Sequence, residues 1–235
     1  MDAYLGELAG LGTSLCWSVG SVFFTLSGRR LGSAVVNRTR LLFALVLVGL
    51  VHWLVEGSLL PVGAGGERWF WMGLSGLIGY VIGDAMLFQA FVMIGPRLSM
   101  LLMALAPVMG ALLAWPLLGE HLTLQEVLGI LLALSGVAWV VMERGANEKA
   151  GLPDMPPRFY AMGVLFGLGG ALGQAGGLIA SKVGLEGDYS ALSGNVMRLM
   201  VATIAIWLIA AATGRVRSNI QSLQEHPRAI SILMG

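Results

Sequence analysis

Asp84 is the one acid set deep inside an apolar stretch of this sequence, residues 70–94. A carboxylate there can bind a coupling proton or a cation, pair with a substrate amine, or make a purely structural hydrogen bond to a neighbouring segment. Gln89 follows five residues on, about 140° further round a helix, so it belongs on another face, and a structural hydrogen bond is its preferred reading. Pro107 falls midway along the next apolar stretch, residues 98–118. In a helix it denies the Met103 carbonyl its usual donor. In lipid that carbonyl must be met by a neighbour, water or a ligand, through a kink that either lines a cavity or only serves packing. Met103, with Met86, Met93, Met100 and Met109, offers flexible thioethers that either line such a cavity or fill gaps. Asp84, Gln89, Met103 and Pro107 are therefore the candidates for substrate binding or coupling.

Three further groups stand at segment ends. Gly95 and Pro96 form a turn. Glu120 closes the stretch that holds Pro107, where a negative charge opposes the helix macrodipole. It needs amides or a cation opposite it, and a structural lock is preferred over a gate. Asn37 and Arg40 open one apolar stretch, and Asn195 and Arg198 open another. Headgroup anchoring by snorkelling is the preferred reading of the two arginines. The alternative is an anion held at symmetry-related cavity mouths. His52 beside Trp53 is read as an interfacial residue.

The elements that must carry these groups follow from composition. Hydrophobic residues make up 57% of the 235 and charged residues 11%, against about 25% charged in a soluble domain. The chain is therefore expected to be an all-α polytopic membrane protein. A spanning helix needs roughly 20 apolar residues, and seven segments qualify: 8–26, 34–55, 70–94, 98–118, 124–142, 159–181 and 191–213. The first has no basic leader before it and is read as a permanent helix. A new apolar run opens at Ala229, the start of an eighth helix on which the sequence breaks off. The polar, proline-bearing stretch 144–157 divides the chain, and 214–227 is a second polar segment.

The two halves repeat. Gly12, Leu15 and Gly20 recur 157 residues later as Gly169, Leu172 and Gly177, and Asn37, Arg40 and Ala44 recur at 158 as Asn195, Arg198 and Ala202. The Asn-x-x-Arg match weighs most because charge is scarce here. It divides the chain into a five-helix unit at 1–143, a linker at 144–157 and an incomplete second unit at 158–235. An odd helix count inverts the second copy in the membrane, and inverted repeats with a site at their interface are a transporter design.

Residues 69–143 carry a more specific pattern: a glycine-rich helix ending in Gly95-Pro96-Arg97, then Ala106-Pro107, then Leu118-Gly119-Glu120 with Leu122-Thr123, then a helix with Gly129 and Gly136. In order and spacing this resembles the EamA domain of the drug/metabolite transporter superfamily. The resemblance implies ten helices in two inverted five-helix repeats. It also implies a small-molecule substrate, often an exported amino acid or other metabolite, carried across the cell (inner) membrane. A lipid-linked sugar flippase of related fold and a non-transport scaffold or receptor are the alternatives.

Other functions find little support. Net charge is +1, so no nucleic-acid partner is expected, and membrane lipid is the expected surroundings. A single cysteine, Cys16, permits no intrachain disulfide or thiolate metal cluster. Residues 79–84 come close to the Gly-x-Gly-Asp pattern of intramembrane aspartyl proteases, but Val81 replaces the glycine and no second carboxylate is at hand. No P-loop, His-Glu-x-x-His or Gly-x-Ser-x-Gly motif occurs, so neither an enzyme activity nor a cofactor is expected. Lys and Arg divide eleven to three between alternate loops, which places the N-terminus outside the cytoplasm. The resemblance implies the opposite, and a periplasm-dependent reporter between the fifth and sixth helices separates the two.

Overall fold

The structure, a computed structural model, describes residues 4–61, 63–146 and 156–226. Most of the proposed linker and the run from Ala229 lie outside them. Among the described residues the elements are all helical: α1 (Leu5–Leu31), α2 (Ser33–Glu56), α3 (Gly66–Gly76), a π-helical segment (Leu77–Gly83), α4 (Asp84–Met103), α5 (Ala106–Leu118), α6 (Leu124–Ala146), α7 (Pro157–Gly184), α8 (Ala191–Ala212) and α9 (Val216–Glu225). Six runs are long and apolar enough to cross a membrane, with the shorter apolar α5 beside them. An all-α polytopic membrane fold is what the composition demands, since helices satisfy their own backbone groups in lipid.

The chain turns back at Gly95, whose φ of +79° suits a residue without a Cβ. Before the turn Leu87 and Ile94 face Gly170 and Gly163 of α7, so this arm runs antiparallel to α7. After it Leu102 faces Gly167 and α5 lines a groove with Ala175–Lys182, so the second arm runs alongside α7 in the same direction. The expected Gly95-Pro96 turn is thus present. The expected continuous helix over 98–118 is not. It is interrupted at Ala104–Leu105, and Pro107 sits in the first turn of α5. A proline there loses no hydrogen bond it would otherwise make. The strain expected of a mid-helix proline is relieved by breaking the helix.

Small residues let α7 lie in the centre. A Cβ on Gly173 would stand 2.5 Å from Gly83 Cα, and one on Gly177 would stand 3.0 Å from Gly79 Cα. The Ser75 hydroxyl donates to the Gly177 carbonyl at 2.5 Å across the same seam. Gly173 and Gly177, one turn apart, thus let α7 pack closely against the π-helical segment. Helices α2 and α8 run antiparallel: Ser190 donates to Glu56, His52 pairs with Ser193, and Thr203 donates to the Leu41 carbonyl. His52 is 1% exposed, buried between these helices and not at a lipid interface. Trp53, Trp115 and Trp139 are exposed on the flanks. The polar stretch after residue 214 folds as α9, and its buried Asn219 accepts a hydrogen bond from Arg38 at 2.7 Å.

Candidate functional site

The π-helical segment runs into Asp84, which lies inside the arm that ends at the Gly95 turn and is 3% exposed. Bonding from i to i+5 is rare and appears often at functional sites. The wider turn here is possible because Gly79 and Gly83 allow α7 to press against it. Asp84 accepts a hydrogen bond from Arg40 within an ion pair. The Arg40 guanidinium is bracketed by the Phe88 and Phe24 rings at 5.2 and 6.0 Å. A carboxylate and a guanidinium in low dielectric need each other, since either alone carries a heavy desolvation cost.

One turn earlier Tyr80 gathers the other polar residues. Its backbone carbonyl accepts from Asn37 Nδ2 at 3.2 Å, and its hydroxyl donates to Asn195 Oδ1 at 2.9 Å. The Arg198 guanidinium stacks on its ring at 4.6 Å, a cation–π contact strengthened by burial. The four repeat-matched residues thus converge on one helical turn and the acid after it. This corrects the headgroup reading. Arg198 is 8% exposed, and each arginine lies seven residues inside its helix, about 10 Å from its end. Sequence inspection missed Tyr80. Its aromatic and hydroxyl character, four residues before the lone acid, was the available signal.

The remaining candidates divide. Gln89 accepts from Ser33 at 2.6 Å, so Gln89 and Asp84 both bind α2, at residues two turns apart on that helix. Met103 and Pro107 line a cavity of about 350 Å³ with Thr13, Ser14, Trp17, Ser18, Met100, Ala104 and Gln174. Met93 is core, and Met86 covers Gly169. Gly95 and Pro96 are backbone devices at the α4 turn. Glu120 pairs with Lys182 at the end of α7, one of the two partners its position required. Among the described residues no group of three or more His, Cys, Asp or Glu side chains is placed to hold a metal.

A buried cluster of charged and polar side chains, with a cavity among the apolar helices, fits a protein that handles a solute. The family model for EamA-like transporters matches residues 4–142. The chain belongs to the EamA-like transporter family. No curated protein and no solved structure matches it. Family membership makes it a multi-pass membrane transporter of a small-molecule substrate. Most of this EamA chain's polar cluster falls within the matched stretch, and Gln174, Asn195 and Arg198 are added from α7 and α8.

Proposed function

We propose that the protein is a secondary transporter that exports small organic metabolites, amino-acid-like or amphipathic, across the cell membrane by alternating access between two inverted repeats. The observation that carries this is the buried Arg40–Asp84 pair, with Tyr80, Asn37, Asn195 and Arg198 gathered on the turn before it, in a bundle that also holds the cavity of Met103 and Pro107. Intramembrane charges are expensive and are retained where they bind or couple. Asp84 is the site at which a proton or a substrate amine competes with Arg40. The inverted-repeat reading, with units at 1–143 and 158–235, is supported by the antiparallel run of α2 and α8. Asn37/Arg40 and Asn195/Arg198 therefore approach the middle from opposite ends. The interruption before Pro107 supplies irregular backbone where it borders the cavity, as in other transporters. The Glu120–Lys182 pair closes one end, as a structural lock or as a gate.

Proteoliposomes loaded with labelled amino acids and other small organic solutes test this. The wild-type chain is expected to release at least one solute faster than empty liposomes. Asp84→Asn is expected to slow that release at least tenfold and flatten its dependence on pH. Release no faster than from empty liposomes across the panel removes the transporter reading. Unchanged pH dependence in Asp84→Asn removes the coupling role.

A further inference from the structure

Two guanidiniums meet a single carboxylate at the centre of this bundle. Arg40 takes Asp84. Arg198 is left with its Nε and Nη2 buried and without an acceptor among the described residues. The Tyr80 ring covers one face of it, but the Tyr80 hydroxyl is turned to Asn195. A buried donor without an acceptor is costly, and a charged one more so. Such a group persists where something else supplies the acceptor.

Arg198 does not line the cavity, but Gln174, which does, comes close to it. Arg198 Nη2 and Gln174 Oε1 come within 3.5 and 3.8 Å of the point that a Cβ on Gly79 would occupy. The bare backbone at Gly79 keeps these two side chains close. Gln174 also lines the cavity, across from Met100, Met103 and Pro107. A primary amide offers a carbonyl on one side and two N–H donors on the other, and rotation exchanges them. Turned over, Gln174 presents donors where its carbonyl now lies, near Arg198 Nη2 at the Gly79 backbone.

We propose that the transported solute carries a single anionic group, a carboxylate, which Arg198 and Gln174 receive at the inner end of the cavity. The apolar part of the solute lies against Trp17, Met100, Met103 and Pro107. One positive charge in excess of Asp84 matches a monoanion and leaves a dianion under-compensated. This inference rests on the transporter reading of the same cavity and names the chemistry of its cargo.

The test supplies the anion covalently. Gln174→Glu in the full chain places a fixed carboxylate beside Arg198. In detergent its melting temperature is expected to rise by about 4 °C, corresponding to one good charge-assisted contact in a chain of this size. The same substitution in an Arg198→Gln background is expected to bring no rise. A Gln174→Glu chain no more stable than wild type, or equally stabilised without Arg198, overturns the proposal. As an independent measurement, millimolar 3-phenylpropionate is expected to raise the melting temperature of the wild type while 3-phenylpropanamide does not. Gln174→Glu is expected to ignore both. An equal wild-type response to acid and amide overturns the proposal. Proteoliposome release separates the two readings. A Gln174→Glu gain without release of any solute keeps the anion site and removes the transporter, and release without the gain does the reverse.

Discussion

At the scale of single residues, the buried pair makes the sharpest demand. Removing one partner leaves the other charged and desolvated, at a cost of about 3–5 kcal/mol. Arg40→Met is therefore expected to lower stability in detergent by that order, and Arg40→Met with Asp84→Leu to recover most of it. Thermal unfolding of the three proteins reads this directly. Release assays on the double variant are expected to show no activity, because stability returns without the charge. Asp84 is legible in the sequence because a lone acid in an apolar run is conspicuous. Arg40 and Arg198 are visible only as a repeated Asn-x-x-Arg. Their burial is not readable, because an arginine seven residues into a helix can as easily reach outward to lipid headgroups as inward. What decides is Tyr80 and Asp84 on a third helix, and one sequence does not reveal such long-range partners.

At the scale of elements, contact between α7 and the arm from α3 to α4 is backbone against backbone. Gly173→Ala is expected to destabilise by about 1–3 kcal/mol through overpacking, since its Cβ would fall 2.5 Å from Gly83 Cα. Gly129→Ala on α6, with open space around it, is expected to change stability by less than about 1 kcal/mol. Detergent unfolding of both variants gives the comparison. The spans are legible from apolar length, and so is the Gly95-Pro96 turn. Two features of the elements are not. Hydropathy does not register the break at Ala104–Leu105, because both sides of it are apolar. The α9 helix looks like a plain polar connection until Asn219 is seen against Arg38 and Leu223 against the cluster of Leu31, Val35 and Phe88.

At the scale of the whole molecule, charge is sorted by end. Arg29, Arg30, Arg97, Arg215 and Arg217 gather where α1 meets α2 and α8 meets α9, while Glu56, Glu67, Glu120, Glu186 and Asp188 gather at the other end. Placing Arg40 and Arg198 inside the bundle removes one from each side of the loop count, which then stands at ten to two. At the acidic end Glu120 and Lys182 are exposed, with side chains 48% and 64% accessible, and exposed pairs contribute little to stability. Glu120→Lys is therefore expected to leave the melting temperature almost unchanged. If the pair gates, the same variant alters the rate of solute release, and Glu120→Lys with Lys182→Glu restores it. A restored rate in the swapped protein is the decisive reading.

The π-helical segment has a consequence for how the polypeptide tolerates deletion. A bond from i to i+5 closes round one more residue than a bond from i to i+4, so the segment acts as a phase correction between the helices on either side. Remove one residue from a regular helix and everything beyond it rotates by about 100°. Remove Val81, and the surplus is what goes: Met72 and Ser75 before the gap keep their faces, and so do Leu87 and Phe91 after it. A Val81-deleted chain is expected to insert and unfold in detergent much like the wild type, with Tyr80 displaced from Asn195 and release activity lost. The same excision at Leu199, inside regular α8, is expected to abolish folding.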